Sequence, residues 1–412
     1  MDDDRSALVA LVRDERRRVL ATLVRTTGSW DLAEDAVQDA VVRALETWPR
    51  DGIPAEPRAW LTVTARRRAI DLLRRESARG PKQQEAIAAL HPVEPPPDSV
   101  VRDDLLRLVF TCCHPALSAP TQVALALRTL CGLSTAETAR ALLMPEQAMA
   151  KRLTRARAKI SKAGIPYRVP PDAELPARLQ GVAATVYLVF NEGWSPAGGQ
   201  ELLRPELLDE AVRLSRLLHQ LMPDEPTALG LLALLLLLDA RRDTRVGPDG
   251  SPCLLADQDR ARWDQAKVRE GVELLGEGLR RTPARPDPYV VQAALSACHA
   301  LAPTAAATDW AVICSWYDVL LTVQDTPATR LAHAVALGER DGAVAGLAAL
   351  DAVEGHADTA LLHGARAELL RRAGRAELAA SSYDRALELA LNEPQRRFLD
   401  QRRASLPAGA HG

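Results

Sequence analysis

Aromatic side chains are scarce in this chain: seven Trp, five Tyr and three Phe, 4% of 412 residues. Alanine, leucine and arginine are abundant instead. No run of alternating β-branched residues suggests a sheet, so the composition favours helices throughout. The six cysteines show no CxxC spacing, which speaks against a disulfide framework and fits a reducing, cytoplasmic setting. The longest apolar run, residues 228–238, is flanked by charges. It is too short to span a bilayer and reads as a buried core helix, so no membrane is expected as a partner. The opening Met-Asp-Asp-Asp lacks the basic, apolar and small-residue progression of a signal peptide. No phosphate-cradling glycine loop, nucleophile elbow or other catalytic constellation is present, so the chain reads as a non-enzyme without a cofactor.

Excess charge of one sign is missing too. Lys and Arg number 52 against 54 Asp and Glu, a formal net charge of -2, but acidic and basic stretches alternate along the sequence. A nucleic-acid binder near overall neutrality must concentrate its positive charge locally. The length suggests about two to three domains. Proline-rich breaks mark them. Residues 5–76 read as a helical block, and 77–99, with Pro81, Pro92, Pro95, Pro96 and Pro97, as an extended linker. Residues 100–163 read as a second helical block and 164–176 as another proline-rich linker. Residues 177–412 read as a long helical part with loops near 243–252 and 282–288. There Gly374, Ala379, Tyr383 and Ala386 have the spacing of the small and aromatic positions of a tetratricopeptide unit, so this part is helical-repeat-like.

The most informative stretch is residues 134–160, STAETARALLMPEQAMAKRLTRARAKI. Ser134 followed by Glu137 is a capping box opening a short helix. A break at Met144 and Pro145 follows, with Pro145 placed in the first turn of the next helix. In that helix Met149, Leu153, Ala156 and Ile160 share one face, and Gln147, Lys151, Thr154 and Arg155 point the other way. Residues 146–162 hold six basic side chains against one acidic. An apolar back with a cationic front suits a helix in the major groove of DNA. A solvated amphipathic surface helix is the bland alternative.

A second charged pair of helices lies upstream. In residues 31–48, Ala33, Val37, Val41, Ala44 and Trp48 form a core face, while Asp31, Asp35, Gln38 and Asp39 form a stripe opposite. The following helix, about 58–76, carries RRRAIDLLRRE, and residues 66–82 hold seven basic side chains against two acidic. Trp60, Leu61, Ile70, Leu72 and Leu73 supply packing, leaving Arg66, Arg67, Arg74 and Arg75 for phosphates and counterion release. Two basic helices on one chain suggest two contacts along one nucleic acid.

AEDAVQDA (33–40), PRAWL (57–61) and ARRRAIDLLRR (65–75) resemble region 2 of extracytoplasmic-function sigma factors. The helix-turn-helix at 134–160 is similar to their region 4. LLRLVFTCCHPAL (105–117), VYLVFNEGW (186–194), LLADQDRARWD (254–264) and NEPQRRFL (392–399) resemble the group with a C-terminal tetratricopeptide-like extension. The resemblance implies an all-α chain with two small sigma domains, a proline-rich linker and a helical extension. It implies that Asp31, Asp35, Gln38 and Asp39 dock on core RNA polymerase. The helix carrying Trp60, Arg66, Arg67, Arg74 and Arg75 would read and melt the minus-10 element. Gln147, Lys151, Thr154 and Arg155 would face the minus-35 element, with Arg152 and Arg157 on flanking phosphates. A small DGPF-family protein is the regulatory partner the group implies, and Asn191, Glu192 and Trp194 are candidates to line a groove of the extension. The chain departs from the family pattern at Val41, where phenylalanine is usual, at Arg67, where asparagine is common, and at Met144, a poor N-cap where serine is frequent. Ala332 and His333 replace the usual asparagine-arginine of the extension.

Other chemistry is set aside. Adjacent Cys112 and Cys113 with His114 cannot readily share one tetrahedral ion, so no metal is assigned and packing is expected, as for Cys298 and His299. Asp257, Asp259, Arg260, Arg262, Trp263 and Asp264 read as a loop-to-helix junction held by carboxylate–arginine pairs. The rival functions are a helix-turn-helix regulator with a sensory C-terminal domain and, more remotely, a helical-repeat interaction scaffold.

Overall fold

The computed structural model describes residues 2–76, 104, 107–142, 144–165, 167–168, 170–171, 173–196, 201–247, 250–282, 284–353, 358–390 and 392–406. The expected linker 77–99 lies outside them. The chain is all-α: the described residues contain no β-strand, only an isolated bridge between Val246 and Pro252. It divides into two compact units, Met1–Leu188 and Val189–Gly412.

The first unit opens with helices α1 (Asp2–Thr27), α2 (Trp30–Asp51) and α3 (Pro57–Glu76). Ser29 caps α2 by accepting from the Leu32 amide at 3.4 Å, which satisfies one of the amides a helix start leaves open. Leu20, Leu23, Val37, Ala44, Leu61 and Ala65 are buried between the three. Trp48 and Trp60 meet edge to face at 5.3 Å, locking α2 to α3. A helical segment at 107–112 leads to α4 (Ala119–Leu125), a π-turn (Ala126–Leu130), α5 (Thr135–Ala141) and α6 (Glu146–Lys162). Both bonds of the capping box form: the Glu137 amide donates to Ser134 Oγ at 3.0 Å and the Ser134 amide to Glu137 Oε2 at 2.6 Å. Pro145 is the N-cap of α6, one position earlier than the sequence suggests, and no side chain caps that helix.

The two helical blocks of this unit are tied together. Arg25 reaches the buried Asp104 at 2.8 Å. The Tyr167 hydroxyl lies 2.8 Å from the Ala21 carbonyl and 2.9 Å from that of Asp104.

The second unit is a succession of helices. The division falls inside α7 (Leu175–Trp194) and is followed by α8 (Pro205–Leu221), α9 (Pro226–Asp239), α10 (Gln265–Arg281) and α11 (Pro288–Leu301). Helix α9 contains the apolar run and is buried on nearly all sides. Its neighbours approach closely through glycine: a Cβ on Gly230 would stand 2.5 Å from the Val290 amide nitrogen. Helices α12 (Trp310–Val323), α13 (Pro327–Arg340), α14 (Ala343–Asp351), α15 (Ala360–Arg372), α16 (Ala376–Leu389) and α17 (Glu393–Ala404) complete it. The repeat-like spacing has its physical basis here. Gly374 takes φ +74° between α15 and α16, a conformation glycine adopts freely. Ala379, Tyr383 and Ala386 are buried on α16, with the Tyr383 hydroxyl donating to Glu368 at 3.1 Å.

One local expectation is corrected. The 257–264 junction is held by caps and carbonyls, not by carboxylate–arginine pairs. Asp259 accepts from Ala261, Asp264 from Ala266 and Lys267, and Arg260 donates to the Ala302 carbonyl at 3.0 Å.

Candidate nucleic-acid interface

On α6 the apolar stripe is sealed: Met149, Leu153, Ala156 and Ile160 are buried. The opposite face is open, with Gln147, Lys151, Thr154 and Arg155 exposed and Arg152 half-buried. The Thr154 hydroxyl donates back to the Ala150 carbonyl at 2.9 Å, so it reaches outward less freely than its neighbours. A groove of about 610 Å³ runs along this face, lined by Ser118, Thr121, Gln147, Lys151 and Arg155 among others. Arg157 behaves differently. It turns away from this face and bonds Glu34 at 2.9 Å and Asp31 at 3.4 Å.

On α2 the stripe of Asp31, Asp35, Gln38 and Asp39 is exposed. Partial burial, then the charges of Glu34 and Asp31, raise the Asp35 carboxyl above the usual range. Asp39 pairs with Arg68 of α3. Beside this pair lies a groove of about 430 Å³ whose lining includes Asp39, Trp60, Arg67 and Asp71. Arg67 and Arg74 are exposed, while the Arg75 side chain lies outside the described residues. Arg66 corrects the sequence reading: only 7% of it is exposed. Burial, then the Arg25 charge, lowers its pKa. It is a packing residue of the block and is not available for phosphates.

Sequence reasoning missed Glu34. Its side chain, 6% exposed, receives Arg128 at 2.8 Å, Arg157 at 2.9 Å and Arg16 at 3.5 Å. The signal was available, since Glu34 falls on the apolar side of α2, three residues before Val37 and four after Trp30. An acid on a core stripe needs a cation.

In the second unit Asn191, Glu192 and Trp194 sit at the end of α7, all half-buried. Glu192 faces Arg204 at 3.6 Å. Trp194 stacks on Phe190 and lies beneath the guanidinium groups of Arg241 and Arg245, so its ring is covered instead of lining an open groove. Cys112 and Cys113 are buried in the first unit, and desolvation pushes both thiols up, that of Cys113 to about 12. A thiol so hard to ionise packs as an apolar group.

The arrangement is that of a sigma-70-type chain, in which one helical block bears an acidic stripe and a basic helix and another bears a helix-turn-helix. Residues 11–79 match Sigma-70 region 2 and residues 107–160 match Sigma-70, region 4. Residues 178–279 match a family of unknown function, DUF6596. A protein of Rhizobium meliloti (strain 1021), described as Uncharacterized protein R00370, is 41% identical over 391 residues, covering 93% of this chain and 92% of that protein. No solved structure matches. The chain belongs to the extracytoplasmic-function sigma factors with a C-terminal DUF6596 extension. Its sigma regions make it a factor for transcription initiation, with core RNA polymerase and promoter DNA as partners. Among the described residues no helix is long and apolar enough to cross a membrane.

Proposed function

We propose that this factor divides promoter recognition between its two blocks. Asp31, Asp35, Gln38 and Asp39 dock on core polymerase, where complementary charge sets orientation and encounter rate. Helix α3 holds the opened minus-10 strand with Trp60, Arg67 and Arg74, by stacking and phosphate neutralisation. Helix α6 reads the minus-35 element in the major groove with Gln147, Lys151 and Arg155, while Arg152 holds phosphate. The extension regulates these steps. For a small DGPF-family partner the family resemblance is the whole support, and co-purification with the full chain tests it.

The observation that carries the reading is the two-sided character of α6. Its apolar back is buried at Met149, Leu153, Ala156 and Ile160, and its opposite face is exposed at Gln147, Lys151 and Arg155. The deciding experiment is transcription with purified protein and core polymerase on a library of genomic promoters. Start sites that depend on the protein are expected. Their absence, with folded protein and competent core, overturns the proposal.

A further inference from the structure

Cations of the second unit mostly face carboxylates. Arg242 bonds Asp239 at 2.6 Å and Asp209 at 2.7 Å, Lys267 reaches Asp239 at 2.9 Å, and Arg216 grips Glu270 with two nitrogens. Three neighbouring arginines do not follow this pattern. Arg241, Arg245 and Arg260 form no salt bridge with any described carboxylate. The Arg241 guanidinium makes no hydrogen bond to a described residue and lies 4.9 Å from the centre of the Trp194 ring. Arg245 lies 4.5 Å from the same ring centre and donates from Nε to the Trp194 carbonyl at 3.3 Å. Arg260 stacks on Trp263 and donates from its terminal nitrogens to the His299 and Ala302 carbonyls and to Thr308, while its buried Nε–H has no acceptor.

The electrostatics agree with the geometry. Burial, then Arg245 and Arg260, depresses Arg241 to about 10, and burial brings Arg245 to about 10 as well. Burial, then Arg241 and Arg260, brings His299 down to about 4. No described carboxylate offsets any of these shifts. Desolvated cations that repel one another are costly, and stacking on an aromatic ring offsets only part of that cost. Guanidinium forks match the oxygens of phosphate groups in spacing and charge.

We propose that Arg241 and Arg245, both stacked on Trp194, form a binding site for a phosphate-class oxyanion, with Arg260 adding nearby positive charge. The ligand supplies the counter-charge that no described carboxylate gives. This site stands whether or not the chain initiates transcription.

Titration calorimetry of the full chain with inorganic phosphate and with pyrophosphate tests it, against chloride at matched ionic strength. Saturable binding is expected, with a rise in melting temperature that chloride does not produce. Arg241→Gln weakens binding at least tenfold, and Arg245→Lys, which keeps the charge but loses the fork, weakens it less. Arg216→Gln, at a cation already paired with Glu270, leaves binding unchanged. Without phosphate, Arg241→Gln melts no lower than the parent, because it removes repulsion and orphans no partner. Heats that do not saturate, equal responses to phosphate and chloride, or equal binding by Arg241→Gln overturn the site. So does a strongly destabilised or unfolded Arg241→Gln, which would make Arg241 a packing residue.

Discussion

Arg157 bonds Glu34 at 2.9 Å, joining α6, which presents the exposed basic face, to α2, which presents the acidic stripe. Arg128 and Arg16 complete a cage of three guanidinium groups around one carboxylate, and Asp31 shares Arg157 at 3.4 Å. In this arrangement Asp31, proposed to dock on polymerase, and Arg157, on the helix proposed to read DNA, occupy one another.

Glu34 is the keystone of that cage. Replacing it with glutamine takes the counter-charge from the largely desolvated Arg16 and Arg128 and leaves Arg157 only Asp31, a loss of about 3–5 kcal/mol by analogy with other broken buried pairs. Arg157→Gln costs less, because its side chain is 21% exposed and Glu34 keeps Arg128 and Arg16. Urea unfolding of both variants, followed by tryptophan fluorescence, measures the difference. An unchanged midpoint for Glu34→Gln would deny Glu34 this role.

Asp35 should act in the opposite sense. Its carboxyl is raised by partial burial and by Glu34 and Asp31, so the folded state holds its proton more tightly than the unfolded chain does. Ionising it therefore costs stability, and the cost is present once the pH exceeds the raised value. Asp35→Asn is expected to stabilise the chain slightly at neutral pH, with the advantage vanishing below the ordinary aspartate range near 3.8. A residue retained against its own stability fits a docking surface. The charge reversals Asp35→Arg and Asp39→Arg together are expected to abolish binding to core polymerase in a pull-down while circular dichroism stays unchanged. Undiminished binding would remove the stripe from the docking proposal.

Some of this was legible in the residues and some was not, for physical reasons. The capping box at Ser134 and Glu137 and the buried stripe of α6 are local features, fixed by neighbours three and four apart. Arg66 was misjudged because charge was read as exposure, and Glu34 was passed over. Arg66, Arg67 and Arg68 occupy successive positions about 100° apart around the helix, so they cannot all face water while one side packs. Arg66 turns inward, Arg67 outward, and Arg68 pairs with Asp39. The arginine cluster of the extension was invisible for another reason. Trp194 and Arg241 are far apart in sequence and meet only through the packing of helices and loops.

DNA contacts on α6 separate by chemistry. Lys151→Ala is expected to weaken binding evenly across sequences and to reduce the slope of log affinity against log salt by about 1 if it neutralises one phosphate. Gln147→Ala, at a side chain able to pair with a base edge, should cost about 1–3 kcal/mol on the preferred promoter and much less on unrelated DNA. Fluorescence anisotropy of the polymerase complex with labelled promoter fragments at several salt concentrations distinguishes the two. Equal losses on all sequences for Gln147→Ala would make it a backbone contact.

Two glycines on helices should respond oppositely to alanine. At Gly230 the new methyl meets the Val290 backbone nitrogen at 2.5 Å, and neither helix can yield locally. Overpacking of this kind costs about 1–3 kcal/mol. At Gly181 the nearest atom stands 3.9 Å away, so the better helix propensity of alanine should add up to about 1 kcal/mol. Thermal melts of Gly230→Ala and Gly181→Ala should shift down and up respectively.

His299 makes the stability of the extension depend on acid. Its pKa is lowered from 6.5 to about 4 by burial and by the nearby charges of Arg241 and Arg260. The unfolded chain therefore binds this proton more readily, and stability falls as the pH drops through 6.5, levelling out below about 4. A depression of this size corresponds to about 3 kcal/mol at its limit, before other acid-titrating groups contribute. His299→Gln removes that proton. Its unfolding free energy, measured in urea at intervals between pH 7 and 4, should fall less steeply than that of the parent. The two curves should converge near pH 7 apart from a constant offset. Parallel curves over the whole interval would mean that His299 takes up its proton in the folded chain as easily as in the unfolded one, and the like charges of Arg241 and Arg260 would then not be acting on it.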